Sequence, residues 1–205
     1  MARRSPEGLK EVIRDYRREQ IIDEARRLFG ERGTTEVSMD EIATAAGVAR
    51  STVYVYFSGR DELLRSCLQQ MYGQLQEELA EGPDEGDEPV ARLRAVVHGV
   101  LRVIDESPAF FRLAMALQGS GDRAGLAVGA ELSAIGLDMA SLLEELVAEG
   151  IDRGDFREID PARAGALIGQ QLFGAMTVRA GDPSARPLDA EVEDVFEFLL
   201  RGLAS

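Results

Sequence analysis

Thiol and imidazole groups are nearly absent from this sequence, which has one cysteine, Cys67, and one histidine, His98. A lone cysteine cannot form an intrachain disulfide, and one cysteine with one histidine cannot build a Cys/His metal cluster. The sequence also lacks an N-terminal apolar run, and no segment approaches the roughly 20 apolar residues that a membrane span requires. We therefore expect a soluble, cytoplasmic protein that has no metal site and needs no cofactor.

Catalytic motifs are lacking as well. There is no phosphate-binding glycine loop and no paired Cys/His motif. His98 is not accompanied by Ser, Cys, Asp or Glu at a spacing typical of a catalytic constellation. The sequence therefore predicts that the protein is not an enzyme.

Positive charge is scarce, since 23 Lys and Arg residues stand against 37 Asp and Glu residues, for a net charge of −14. The deficit is not uniform. Residues 1–65 hold 12 basic and 12 acidic groups, and the remaining residues hold 11 and 25. The whole negative excess therefore lies in the C-terminal part. This asymmetry predicts two regions with different partners, of which only the neutral one can approach a polyanion.

Helical periodicity of apolar residues runs through the chain, and no window alternates as an exposed strand would. The sequence therefore predicts an all-α protein of about nine helices. An acidic segment with glycine and proline at 81–90 is the best candidate for a domain boundary. C-terminal to it, helices are predicted at about 89–106, 108–118, 122–153, 161–180 and 189–203.

The segment "SMDEIATAAGVARSTVYVYF" has the features of a helix-turn-helix unit. Ser38 and Glu41 form a capping box, and Gly47 ends a very short helix before a second short helix at roughly 49–56. A further capping box, of Ser58 and Asp61, opens a long helix. In such a unit the second helix enters the major groove of DNA.

The exposed side of this unit carries side chains that suit DNA. An arginine at the start of a groove-bound helix can bind guanine, while hydroxyl groups and a helix N-terminus suit phosphates. The predicted DNA-binding residues are Ser38, Arg50, Ser51, Thr52, Tyr54, Tyr56 and Arg60.

The segment also closely resembles the DNA-binding region of the tetracycline-repressor-like (TetR) regulators. The matching features are the Ile-Ala of "EIATAAGV", the Tyr-x-Tyr-Phe of "YVYF" and the basic residue before "DELL". Together with the preceding helix "IIDEARRLFGERG", they cover about residues 14–75. Arg60 stands where the family usually has lysine, and Arg50 and Ser51 stand where the family varies with operator sequence.

This resemblance implies a three-helix DNA-binding domain followed by a larger helical domain for ligand binding and dimerisation. We expect an N-terminal tail at 1–13, the DNA-binding domain at 14–64, a connecting helix at 65–82 and the larger domain at 83–205. Arg3 and Arg4 in the tail are candidates for an arm that reaches a minor groove.

Two features suggest a homodimer through the last two helices. Gly165 and Gly169 leave a flat strip on one predicted helix, and the next helix has an apolar face. The residues of that face are Val192, Val195, Phe196, Leu199 and Leu203. We expect these surfaces to pack against a second copy, with packing inside one subunit as the alternative.

Aromatic, methionine and polar side chains of the C-terminal part have the composition of a small-molecule cavity. The predicted ligand-binding residues are Tyr72, His98, Arg102, Phe110, Phe111, Met115, Gln118, Met139, Leu143, Gln170, Phe173 and Met176. Ordinary core packing of the same residues is the alternative.

The function that we predict is a sequence-specific DNA-binding regulator. In its most specific form it is a homodimeric repressor that leaves a palindromic operator when a small-molecule effector binds. An effector-independent regulator, an activator and a helical protein-interaction module remain as alternatives.

Overall fold

A computed structural model of the chain describes residues 6–81, 88–118, 121–182 and 186–203. Within these ranges the chain forms nine α-helices and no β-strand, which confirms the predicted all-α class. The helices are α1 Pro6–Arg32, α2 Met39–Ala45, α3 Arg50–Tyr56, α4 Arg60–Glu81, α5 Pro89–Glu106, α6 Pro108–Gln118, α7 Arg123–Arg153, α8 Pro161–Gly181 and α9 Leu188–Leu203.

Helix positions predicted from apolar spacing agree with the structure over most of the chain. The exception is α1, which begins at Pro6 although the predicted tail extends to residue 13. Residues 12–19 of α1 are exposed, and an exposed helical extension has no apolar stripe that sequence periodicity could detect. Arg3 and Arg4 lie outside the described residues, as does most of the predicted boundary at 81–90.

The first three helices pack around an apolar core. Its buried side chains include Ile21, Phe29, Ile42, Val53 and Phe57. Between α2 and α3 the amide of Val48 donates to the Ala43 carbonyl at 2.9 Å, and Gly47 adopts a φ of 65° that glycine tolerates without strain. This tight turn and the small alanines let α2 and α3 cross closely, as the helix-turn-helix prediction requires.

The start of α4 differs from the predicted capping box of Ser58 and Asp61. The amide and hydroxyl of Ser58 both donate to Oε2 of Glu62, at 2.6 and 2.5 Å. Asp61 instead forms an ion pair of 2.7 Å with Arg123 at the start of α7. Glu62 replaces Asp61 as the capping partner because α4 begins at Arg60, and the longer glutamate side chain reaches back to Ser58.

The larger helical domain corrects the prediction that Gly165 and Gly169 face a second copy. A Cβ atom on Gly165 would lie 3.0 Å from the amide nitrogen of Glu144, and one on Gly169 would lie 3.8 Å from Cδ1 of Leu143. The glycine strip therefore receives α7 of the same subunit. Two glycines one turn apart indicate that a helix approaches closely, but they do not identify that helix.

The predicted apolar face of α9 is also covered within the subunit. Val192, Phe196, Leu199 and Leu203 are buried, Val195 is partly buried, and α9 packs against α5. An apolar stripe predicts that one face of a helix is buried. In this fold α5 of the same subunit buries that face, which was the alternative to packing against a second copy.

An ion pair between a buried arginine and an exposed aspartate joins the ends of three helices. Arg179 of α8 is only 6% exposed, and its guanidinium donates to both carboxylate oxygens of Asp105 on α5, at 2.5 Å each. The hydrogen bonds to Asp105 raise the pKa of Arg179. Arg179 also donates to the Arg186 carbonyl at 3.1 Å, and Arg112 of α6 donates to the Ala180 carbonyl.

Two helices connect the helix-turn-helix unit to the larger domain. α1 packs against α6 at Gly30, where a Cβ atom would lie 2.8 Å from the amide nitrogen of Phe110 and 3.1 Å from Cβ of Ala109. α4 packs against α1 as well as against α5 and α7. A shift of α4 or α6 therefore directly changes the packing contacts of α1.

By length and composition, α7 is apolar enough to cross a membrane, which contradicts the expectation that no segment comes close. In this fold α7 packs against α4, α5, α6 and α8. Leu143, Leu146 and Val147 of α7 are buried there, whereas Leu126 and Leu137 are 68% and 70% exposed.

Candidate DNA-binding surface and ligand cavity

The outer side of α3 presents the side chains predicted to read DNA. Arg50, Ser51 and Tyr54 are exposed, while Val53 between them is buried. Val55 is 78% exposed, which the sequence analysis did not single out. An apolar side chain at this position can contact a thymine methyl group.

The Arg50 guanidinium is held in place by two neighbours. Its Nε lies 2.9 Å from Oδ1 of Asp40 and its Nη1 lies 3.0 Å from Oδ2, while its Cζ lies 5.7 Å from the centre of the Tyr54 ring. Asp40 is on α2, so this pair links the two helices of the unit. The sequence analysis missed Asp40, because the pair depends on how α2 and α3 cross.

The two tyrosines of α3 occupy different environments. Tyr54 is 45% exposed, whereas Tyr56 is partly buried against the core, with its ring centre 6.3 Å from that of Phe57. Residues two apart on an α-helix point in nearly opposite directions, about 200° apart. Thr52 is likewise half-buried. Tyr54 is therefore the tyrosine with a freely accessible ring.

The predicted phosphate ligands at the edges of the unit have structural contacts of their own. Nη2 of Arg60 donates to the Val37 carbonyl at 2.8 Å, which fastens the start of α4 to the segment before α2. The Ser38 hydroxyl caps α2 by accepting from the Glu41 amide at 3.2 Å and donates to the Glu41 carboxylate at 2.8 Å. This confirms the predicted capping box of α2.

The capping box makes the stability of this unit depend on pH. Hydrogen bonds from Ser38, followed by one from Arg32, lower the pKa of Glu41 from 4.5 to about 2. Because the pKa is lowered in the folded state, the ionised carboxylate contributes stability above 4.5 that is lost as the pH falls toward 2. We expect the difference in unfolding free energy between the native protein and Glu41→Gln to shrink over that interval. Denaturant titrations across the interval measure it, and a pH-independent difference would contradict the assignment.

A cavity of about 690 Å³ opens among α4, α5, α6, α7 and α8. This volume is within the range of small-molecule sites. Eight predicted ligand-binding residues line it: Tyr72, Phe111, Met115, Gln118, Met139, Gln170, Phe173 and Met176.

Four predicted residues do not line the cavity. Phe110 is buried next to Gly30 of α1, and Leu143 is buried where α7 meets α8. On α5 the cavity receives Val100, Val103 and Ile104. His98 and Arg102 are each two residues, about 200°, from Val100 and so lie on the opposite face of α5. Arg102 forms an ion pair of 3.1 Å with Glu106.

Sequence reasoning missed most of the aliphatic lining. These residues are Leu68, Met71, Leu75, Val100, Val103, Ile104, Leu132, Ile135 and Leu172, together with small residues of α7 and α8. In sequence they are indistinguishable from core residues, because both kinds follow the same helical stripe. Whether such a stripe borders a cavity depends on how far apart the helices lie.

The polar lining groups lie at the rim. Gln118 and Gln170 are exposed and Tyr72 is partly buried. The Tyr72 hydroxyl lies 3.4 Å from Oδ2 of Asp138 on α7. Burial, and then the charge of Asp138, raises the pKa of Tyr72, so the hydroxyl keeps its proton and can donate to that carboxylate.

The lone thiol lies outside the cavity lining. Sγ of Cys67 lies 3.7 Å from the Ile22 carbonyl, and burial raises the pKa of the thiol. A protonated, buried thiol is unreactive, so Cys67 serves the packing of α4 against α1.

A sequence model of the family described as "Bacterial regulatory proteins, tetR family" matches residues 21–67. This range contains the whole helix-turn-helix unit. The chain is also 27% identical over 187 residues to the fatty acid metabolism regulator protein of Bacillus subtilis strain 168, covering 90% of this chain and 94% of that protein.

Solved structures share the architecture over almost the full length. The fatty acid degradation regulator FadR from Bacillus halodurans has a TM-score of 0.73 and 28% identity, covering 90% of this chain and 98% of that one. The regulator FadR from Bacillus subtilis in complex with stearoyl-CoA has a TM-score of 0.75 at 24% identity, covering 90% and 98%. At that identity the second likeness establishes the fold alone.

Proposed function

Because this chain belongs to the TetR family of bacterial transcriptional regulators, we propose that it is a homodimeric repressor that a small-molecule effector releases from a palindromic operator. The observation that carries this proposal is a helix-turn-helix unit that packs, through α1 and α4, on the helices surrounding a cavity of about 690 Å³. The protein acts on double-stranded DNA in the cytoplasm.

In this proposal α3 enters the major groove and Arg50 binds a base edge. Ser51 and Tyr54 contact the DNA from the same exposed side of α3. The remaining predicted contacts, from Ser38, Thr52, Tyr56 and Arg60, are to the phosphate backbone. The acidic C-terminal part lies away from the DNA and disfavours nonspecific binding.

Dimerisation involves faces of α8 and α9 other than those predicted from sequence. Leu167 and Val178 of α8 are 56% and 68% exposed, and Phe198 of α9 is 64% exposed. Exposed large apolar side chains of this kind are typical of an interface between copies. A dimer is also needed because one short helix reads too few bases to select a genomic site.

Release follows from the contacts of the cavity wall. α4 and α6 both line the cavity, and both pack against α1. An effector that shifts them changes the spacing of the two α3 helices in the dimer. A coupling of about 1–3 kcal/mol would change operator affinity by roughly 5- to 150-fold. The apolar wall and the likeness to fatty acid regulators at 27% and 28% identity favour an effector with a fatty acyl or similar chain.

Selection of bound sequences from a random DNA pool tests the proposal. We expect an inverted repeat whose half-sites are about 34 Å, one helical turn, or a multiple of that apart. Affinity for it should fall steeply with salt, because phosphate contacts release counterions. Enrichment of a single half-site would contradict the dimer, and the absence of enrichment would contradict the regulator itself.

A further inference from the structure

From the chemistry of the cavity wall and rim, we infer that the effector is an amphiphile with a long apolar body and a head group that is not anionic. The inference rests on the proposed function, because it assigns the ligand class of the same cavity. It separates ligands that share an alkyl chain and differ only in the charge of the head group, such as a free fatty acid and the matching amide or alcohol.

The deep wall of the cavity is apolar. Leu68, Ile104, Phe111 and Leu172, from four different helices, are each at most 5% exposed. Among the described residues that line the cavity there is no Lys, Arg, His, Asp or Glu. A carboxylate placed there would lose its hydration without gaining a cationic partner, which is strongly unfavourable.

A negative charge lies just outside the lining of the cavity. Asp138 lies within 3.4 Å of the Tyr72 hydroxyl, and Tyr72 lines the cavity. The hydroxyl points its proton at Asp138, so it is occupied as a donor. A second carboxylate at this rim would face a like charge at short range. An amide or alcohol has no such conflict, and its own N–H or O–H can donate to the Asp138 carboxylate.

The other polar lining groups do not reverse this preference. Gln118 and Gln170 carry side-chain amides, which can donate or accept and so suit an uncharged head group as well. Arg102, a predicted cationic group for the cavity, is not part of the lining. The lining therefore offers neutral amides, and the carboxylate of Asp138 lies just outside it.

Binding of three ligands of equal chain length tests the inference: tetradecanoate, tetradecanamide and tetradecan-1-ol. Dissociation constants are measured with the full chain at neutral pH, by calorimetry below the concentrations at which the ligands aggregate. We expect the amide and the alcohol to bind at least about tenfold more tightly than the carboxylate. Asp138→Asn should narrow this gap, because it strengthens carboxylate binding and weakens amide binding, which loses its charged acceptor.

Asp152→Asn is the matched control, because it removes the same charge about 21 Å farther along α7, at 1.5 Å per residue. It should leave the gap unchanged. Equal binding of the carboxylate and the amide by the native chain, or an equal effect of both substitutions, would overturn the inference while leaving an effector cavity intact. Failure of all three ligands to bind would instead count against the cavity as an effector site and so against the proposed function.

Discussion

The Arg50→Ala variant should bind the selected operator roughly 30-fold to 10⁴-fold more weakly than the native dimer. A bidentate contact between an arginine and guanine contributes about 1–3 kcal/mol, and a two-fold symmetric dimer loses the contact in both half-sites. Fluorescence anisotropy with a labelled operator measures the change. Affinity for unrelated DNA should fall much less, because Arg50 is proposed to read bases and contributes little to nonspecific binding.

Arg94 offers a closely matched control. Like Arg50, it is about half exposed and forms an ion pair, in this case with Glu193 of α9. Its Cζ lies 5.6 Å from the ring centre of Phe196, as that of Arg50 lies 5.7 Å from Tyr54. Arg94→Ala therefore removes the same charge and the same kinds of contact outside the helix-turn-helix unit. Equal losses of operator affinity in both variants would show that Arg50 acts only through net charge.

The Asp40→Asn variant tests whether the ion pair with Asp40 orients the Arg50 guanidinium for DNA or holds it away from DNA. Exposed pairs contribute at most about 1 kcal/mol, so the pair cannot hold Arg50 away from a base that binds it more strongly. We therefore interpret Asp40 as orienting the guanidinium in the free protein. Its replacement should relax the preference for operator over unrelated DNA rather than abolish binding.

The helix-turn-helix unit was predictable from sequence because its signals are local. Ser38 and Glu41 are three residues apart, and their hydrogen bonds form whenever that helix forms. The starts of α6 and α8 were predictable for the same reason, since a capping residue followed by proline, Ser107-Pro108 and Asp160-Pro161, marks each start.

Other features depend on contacts that a single sequence does not display. Asp40 meets Arg50 only because α2 and α3 cross at the angle that the turn imposes. Gly165 permits the close approach of a helix, and only the assembled fold identifies that helix as α7. Phe110 and Phe111 are adjacent in sequence, yet one packs near α1 and the other lines the cavity. Rotation by about 100° per residue on a helix separates their environments completely.

The largest effect on stability should come from Asp105→Ala, which we expect to lower the free energy of unfolding by about 1–3 kcal/mol. The substitution leaves the guanidinium of Arg179 without its carboxylate, although the Arg179 side chain is only 4% exposed. The pair also joins α5 to α8, two walls of the cavity, so ligand binding should weaken as well. Chemical denaturation and calorimetry measure the two changes.

An exposed pair in the same region shows whether burial is the cause. Asp194 pairs with Arg186, and both side chains are more than half exposed. Asp194→Ala should therefore cost at most about 1 kcal/mol. Replacing both members of this pair, as in Asp105→Leu with Arg179→Met, should recover much of the loss, because the double variant leaves no unpaired guanidinium in the interior. If Asp105→Ala and Asp194→Ala cost the same, then the pair of Arg179 and Asp105 is not what holds α5 against α8, and the packing around the cavity must hold these helices without it.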